Sequence, residues 1–538
     1  MHGSGVAPGL FSLTRFTTLS SSILVSLSSG SNYVRHFVLA YLPQLGSRLH
    51  LSHTQLNVFA VAGNVGMYTS GPFWGPVVDA RGPRPLLVAA FILLLSGYSG
   101  IRGLFDAGLG NAAELSQLRL VILIMCSFLT GVGGNAGMSS AVNVTAKSFP
   151  DYFRAIVVGL VMSGFGLSAF FFSSISHVLF PGNTSDFLFV LGLGTALPMV
   201  LGFFFVRPVP LPSKAIGSGP LDNYQPLSAP TDSVVYPVHA SSSTPLLFES
   251  EEDEEVEPPT IHLSGSVELS TSPSFQNRNR TPSEKIVEGR GVELHRWTLW
   301  KSIDFWIMCS IHILYINNVG SIAQALFAHG NSAYDEADSS AWQAAQVSVL
   351  SLANCFGRIL IGIAADTAKS RIRVPRSFCM PVVSALFILA LLLLIVMDDV
   401  RHLWAASGLI GLAYGCWFGL LPTVSIEWFG LAHFSENWGI ISVFPVVGGN
   451  LFSLAFGHNL DAHELPALQP ASAHQCMAGR ECYVRSLYLN LGACMVALGL
   501  SVWAGRRDWS DWQRRQQHRE RMNVPEWVAA GKPLGQKI

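Results

Sequence analysis

Residues 75–84 read Gly75-Pro76-Val77-Val78-Asp79-Ala80-Arg81-Gly82-Pro83-Arg84 and stand between two long apolar stretches. A glycine, an aspartate four residues on and a tight basic turn fit a helix that leaves a bilayer, turns and re-enters it. Gly75 admits close approach of a neighbouring helix, as small residues do in membranes. Asp79 falls at the membrane surface, where it can meet a helix N-terminus or an arginine. Gly82-Pro83 makes the turn, and Arg81 and Arg84 hold it on the cytoplasmic side.

The rest of the chain agrees. Only 12% of its 538 residues are charged and 50% are hydrophobic, against about 25% charged in soluble domains. A net charge of -1 gives no argument for a nucleic-acid partner. Twelve segments are long and apolar enough to span: 17–43, 55–78, 85–105, 117–140, 154–180, 186–206, 302–327, 341–365, 377–397, 402–425, 435–457 and 485–505. Met1 to Arg15 lacks a signal-peptide pattern, so the first span is expected to serve as a retained signal. The expected class is an all-α membrane protein.

Lys and Arg set the orientation. With both termini inside, the short inner loops hold Arg81, Arg84, Lys147, Arg154, Lys369, Arg371, Arg373 and Arg376, and the short outer loops hold Arg48, Arg102, Arg119 and Arg401. Eight against four favours cytosolic termini. Cys476 and Cys482 share the outer loop before the last span, where a small disulfide has room to form. Asn183-Thr184-Ser185 is a glycosylation sequon close to the membrane, and a simple turn is its plainer reading.

Three echoes divide the chain in two. Asn32-Tyr33-Val34 answers Asn317-Asn318-Val319, Gly75-x-x-x-Asp79 answers Gly362-x-x-x-Asp366, and Lys147 after span 4 answers Glu427 after span 10. The offsets are nearly constant, so the expected organisation is a cytosolic N-terminus (1–16), a six-helix bundle (17–207), a linker (208–300), a second six-helix bundle (301–505) and a basic cytosolic tail (506–538). The linker is rich in Ser, Pro and Thr and holds an acidic run, Glu249 to Glu257; it reads as disordered. The tail mixes Arg with Trp509 and Trp512, which suits either an interfacial helix on anionic lipid or a solvated topogenic segment.

Gly75, Asp79, Gly82 and Arg84 match the G-x-x-x-D-x-x-G-x-[RK] loop of the major facilitator superfamily, which the chain resembles. Within it, Ser28-Ser29-Gly30-Ser31-Asn32-Tyr33-Val34, Tyr41-Leu42-Pro43-Gln44-Leu45, the glycine-rich run 157–168, Tyr315 to Leu326 and Glu427-Trp428-Phe429-Gly430 resemble the nodulin-like and fungal monocarboxylate-transporter-like (Mch-type) proteins. The resemblance implies the major-facilitator fold and carriage of a small molecule at the interface of the halves. Some relatives are vacuolar, so the vacuolar or plasma membrane is the expected residence. Arg35-His36-Phe37 departs from the pattern, as a functional insertion in span 1 or as retained extra residues.

Arg358 leads the candidates for the substrate path. It lies four residues after Asn354, where monocarboxylate transporters carry an aspartate that the resemblance links to proton coupling; an amide there cannot titrate. Arg358 keeps a planar fork suited to carboxylate, or it serves as an internal latch paired with Glu427 or a helix end. Tyr315, Asn317, Asn318 and Gln324 in span 7, and Asn32 and Tyr33 in span 1, are the other candidates, with polar helix packing the competing reading. Gly75, Asp79, Arg81, Gly82, Arg84, Gly362, Asp366, Lys369, Arg371 and Glu427 form the expected cytoplasmic gate. No Walker-type G-x-x-x-x-G-K-[ST] loop, metal-ligand spacing or nucleophile–base pair appears, so the expectation is a monomeric, cofactor-free carrier of a small organic solute, coupled to protons or to nothing. A nutrient-binding sensor without net transport is the rival reading.

Overall fold

The computed structural model describes residues 9, 11–30, 42–109, 115–180, 183–211, 297–306, 319–330, 336–462 and 478–522. All regular structure among them is helical. The first half contains α1 (Leu13–Ser29), α2 (Leu42–Leu49), α3 (His53–Thr69), α4 (Gly71–Arg81), α5 (Arg84–Ala107), α6 (Gln117–Ser148), α7 (Asp151–Leu179) and α8 (Thr184–Phe205). The second contains α9 (Val319–Gly330), α10 (Glu336–Thr367), α11 (Cys379–Val396), α12 (Leu403–Phe429), α13 (Phe434–Ile441), α14 (Phe444–Asp461) and α15 (Val484–Met522). Eight helices among the described residues are long and apolar enough to cross a membrane, and together the helices form two packed groups. α1, α3, α5, α7 and α8 gather around or beside α6, and α10, α11 and α12 pack together with α15 against α11.

Two expected spans are broken helices. Span 2 divides at Ser70 into α3 and α4, and span 11 divides at Ser442-Val443 into α13 and α14. Pro72 and Pro445 each lie just past the break, where a missing N–H and a fixed φ suit a first turn and not a helix interior. Asn135 Nδ2 donates to Ser70 Oγ at 3.0 Å and Trp74 Nε1 donates to the Val132 carbonyl at 3.1 Å, so α6 secures the break in span 2. Gly82 ends α4 with φ +79°, the left-handed conformation that favours glycine.

The halves meet along two seams, α4 against α13 and α7 against α10. Both are lined by glycine. A Cβ on Gly75 would strike the Ser435 carbonyl, and one on Gly71 would lie 2.7 Å from the Gly439 carbonyl. Across the other seam, a Cβ on Gly362 would lie 2.6 Å from the Ala155 carbonyl, and one on Gly159 would strike the carbonyl of Arg358.

α15 runs through the expected end of span 12 and on to Met522 without a break. Cys482 is buried and disulfide-bonded; Cys476 lies outside the described residues. Asn183 caps α8, accepting from Asp186 N at 3.2 Å, which is the turn reading of the sequon.

Seam packing sets a direct expectation. Gly75→Val should lower the stability of the purified protein by about 1–3 kcal/mol through overpacking. Gly492→Ala in α15, where nothing lies within 4 Å of the added carbon, should be neutral or stabilising by up to about 1 kcal/mol. Thermal unfolding of the two variants in one detergent checks the contrast.

Candidate functional site

Both motif aspartates reach across a seam at the same end of the molecule, the end carrying the turns at 81–84 and 368–376. Asp79, near the end of α4, accepts from the backbone N–H of Glu436 at 2.9 Å, in the first turn of α13. Asp366, near the end of α10, accepts from the N–H groups of Ala155 at 3.2 Å and Ile156 at 2.9 Å, near the start of α7. Each half therefore supplies a carboxylate to a helix in the other: Glu436 lies in the first turn of α13, where the macrodipole and unpaired donors favour negative charge, and Ala155 and Ile156 lie one turn into α7.

The two clusters differ in how the carboxylate is neutralised. Lys147 Nζ lies 2.7 Å from Asp79 and Asn143 donates to the same oxygen at 2.6 Å. Asp366 instead meets Arg376, whose Nη2 lies 2.7 Å away. Arg376 is fully buried and also donates through Nη1 to Asp151 at 3.2 Å and Glu427 at 2.7 Å. Lys369 closes the cluster, with Nζ 2.6 Å from Asp151 and 2.5 Å from Glu427. The echo between Lys147 and Glu427 reverses sign, so the second half carries one more acid at this level and needs the extra arginine.

Arg358 occupies the α7–α10 seam away from these charges. Its Nε donates to Asn354 Oδ1 at 3.1 Å and its Nη1 to the Met162 carbonyl at 2.6 Å. The guanidinium lies between the rings of Phe165 and Phe418, at 5.6 and 5.8 Å. It is fully buried. Across the seam it meets a backbone carbonyl and a ring of α7, and Glu427 is engaged with Arg376 and Lys369.

Of the expected gate residues, Gly75, Asp79, Gly362, Asp366, Lys369 and Glu427 come together at the seams. Arg81, Arg84 and Arg371 are exposed, and Arg84 lies over the Phe203 ring at 5.8 Å. Asn32, Tyr33, Arg35, Tyr315, Asn317 and Asn318 lie outside the described residues, and Gln324 is placed only as a position on α9. Arg376, Asp151 and Lys147 are site residues that sequence reasoning did not select, whereas Asn143 reads from the sequence as an interhelical hydrogen-bonding residue of span 4, the role it takes here. In sequence Arg376 reads only as topogenic charge, and Lys147 as topogenic charge and as one half of the Lys147–Glu427 echo, the signal that could have raised it. Arg15 and Arg154 are buried as well: they donate to the Ser148 and Ala146 carbonyls, which close the C-terminal end of α6.

The family model of the Major Facilitator Superfamily matches residues 19–455. Among curated proteins, the chain is 25% identical to "Probable transporter mch1" of Neurospora crassa, over 95% of this chain and 92% of that protein. It is 26% identical to "Probable transporter MCH1" of Gibberella zeae, over 92% and 91%. Among solved structures, a double-tryptophan mutant of XylE superposes with a TM-score of 0.58 at 12% identity, covering 90% of this chain and 94% of that one. That likeness shows the major-facilitator fold.

Arg376→Met would leave Asp151, Asp366 and Glu427 facing one another without their shared cation. Breaking a buried pair on one side costs about 3–5 kcal/mol, whereas Arg371→Met on the exposed turn should stay within about 0.5 kcal/mol. Parallel thermal melts should rank the two variants in that order by several degrees.

Proposed function

The chain belongs to the major facilitator superfamily, and on that premise we propose that this membrane transporter carries a small organic solute of the carboxylate class by alternating access. The observation that carries the reading is the reciprocal capping: Asp79 on α13 and Asp366 on α7 tie the halves together at one end through contacts that a rocking motion would break together. The latched end is the cytoplasmic one, with both termini on that side and the vacuolar or plasma membrane as residence. The working unit is a monomer.

Arg358 is the proposed anion site. In the latched state its fork is occupied by the Met162 carbonyl and covered by two rings. Separation of α7 from α10 removes both, and a substrate carboxylate then takes the bidentate position that guanidinium favours. Asn32, Tyr33, Tyr315, Asn317, Asn318 and Gln324 supply the remaining polar contacts in this scheme. Asn354 holds the guanidinium and cannot titrate, so any proton coupling runs through other groups.

Counterflow in liposomes tests this reading, with labelled monocarboxylates, amino acids and metal chelates as the panel. A carboxylate should exchange, and Arg358→Ala should slow it by about tenfold or more, the loss of a charge-assisted contact. Binding without flux for any compound would make the protein a sensor instead.

A further inference from the structure

The first residues of the basic tail are docked, not merely topogenic. Three consecutive residues of α15 grip three separate places on the second half. Arg507 forms an ion pair with Asp304, which stands at the start of expected span 7 and is 8% exposed at its side chain. Asp508, itself buried, accepts through Oδ2 from Ser377 Oγ at 2.7 Å and from Trp428 Nε1 at 3.1 Å. Trp509 packs edge-to-face on Phe378 with centroids 5.7 Å apart.

The two donors to Asp508 are the immediate chain neighbours of the two central residues of the α7–α10 cluster. Ser377 follows Arg376 in the 3-10 turn Arg376–Phe378, and Trp428 follows Glu427 in the last turn of α12. Arg507 lies 5.9 Å from the Trp428 ring, so that indole is held at its edge and its face. Arg376 must satisfy Asp151, Asp366 and Glu427 at once, and hydrogen bonds near 2.7 Å weaken steeply with small displacements. A buried carboxylate that fixes both neighbouring residues therefore sets the register of the arginine.

We propose that Asp508 is a positioning residue of the cytoplasmic gate: from the tail helix it holds the Arg376 turn and the Glu427 turn in the geometry that latches α10 to α7. The inference rests on the reading of that end as a gate. It makes the segment just beyond span 12 part of the machinery that sets the balance between closed and open states.

The test measures distances between spin labels, introduced as non-canonical amino acids, in the full-length protein in lipid nanodiscs. One pair, at exposed Tyr152 and Ile372, spans the halves; a second, at exposed Ile303 and Ile372, lies within the second half. Arg376→Gln serves as the gate control and should shift the 152–372 pair toward longer distances. Asp508→Asn should raise the ratio of long to short 152–372 distances about tenfold, as expected for lost hydrogen bonds to a charged group. Ser377→Ala, which removes one donor with little change in volume, should raise it about threefold. The 303–372 distribution should stay as in the wild type.

If Arg376→Gln opens the pair while folded Asp508→Asn and Ser377→Ala leave it unchanged, the role of Asp508 is overturned and the gate reading survives. Should Asp508→Asn fail to fold, Ser377→Ala decides alone. A shift in both label pairs would make Asp508 a structural anchor and overturn the proposal. If Arg376→Gln moves nothing, the gate reading itself fails, and this inference with it.

Discussion

A carboxylate can cap a helix in the opposite half only if the two backbones come close enough to touch. Asp366 reaches the N–H groups of Ala155 and Ile156 because Gly362, one turn earlier on the same helix face, has no side chain to hold α7 away. Asp79 reaches Glu436 for the same reason, with Gly75 one turn earlier against Ser435. The spacing of four residues places glycine and aspartate on one face. The glycine sets the separation of the helices and the aspartate uses it. Change either and the other loses its purpose.

That constraint explains the charges around it. A buried carboxylate is costly unless paired and hydrogen-bonded, and two backbone donors from a helix start do not neutralise it. In the first half the cation comes from Lys147 at the end of α6. In the second half the equivalent place at the end of α12 holds Glu427, an acid, so a neutralising cation must stand between it and Asp366. Arg376 does this, its fork shared among three carboxylates, and Lys369 brings a second charge to Asp151 and Glu427. The result is one lean seam and one dense seam on a repeated backbone. The exposed positions of Arg84 and Arg371 follow the same symmetry: they lie 287 residues apart, as Asp79 and Asp366 do.

Much of this was legible in the chain. Hydropathy marks the eight spanning helices found among the described residues, and Gly75-x-x-x-Asp79 with Gly362-x-x-x-Asp366 marks the glycine–aspartate pairs that stand at the seams. Other features were present but undervalued. Pro72 and Pro445 announce breaks in spans 2 and 11, yet hydropathy continues across both, and a window average cannot register one missing N–H. Arg376 looked like one more loop cation because sequence alone does not separate a buried arginine from a topogenic one; only the arrangement of three acids, from α7, α10 and α12, singles it out. Asp508 was hidden for a similar reason, lying among arginines in a segment whose composition reads as solvated.

On the proposed function, gate and substrate path need not be separate devices, and α10 is the reason. Asn354, Arg358, Gly362 and Asp366 stand at successive intervals of four on α10, and each faces the seam or a neighbour on it. α10 runs unbroken through Arg358 and Asp366, so a rigid-body motion that frees Asp366 from the start of α7 also carries Arg358 away from Met162. The reverse holds too. Whatever competes for the Arg358 fork favours the state in which the Met162 contact is already lost, and so acts against the cap on Ile156. Coupling between an anion held by Arg358 and the charged end then requires no chain of intermediate residues, because the rigid element that bears both groups is the connection.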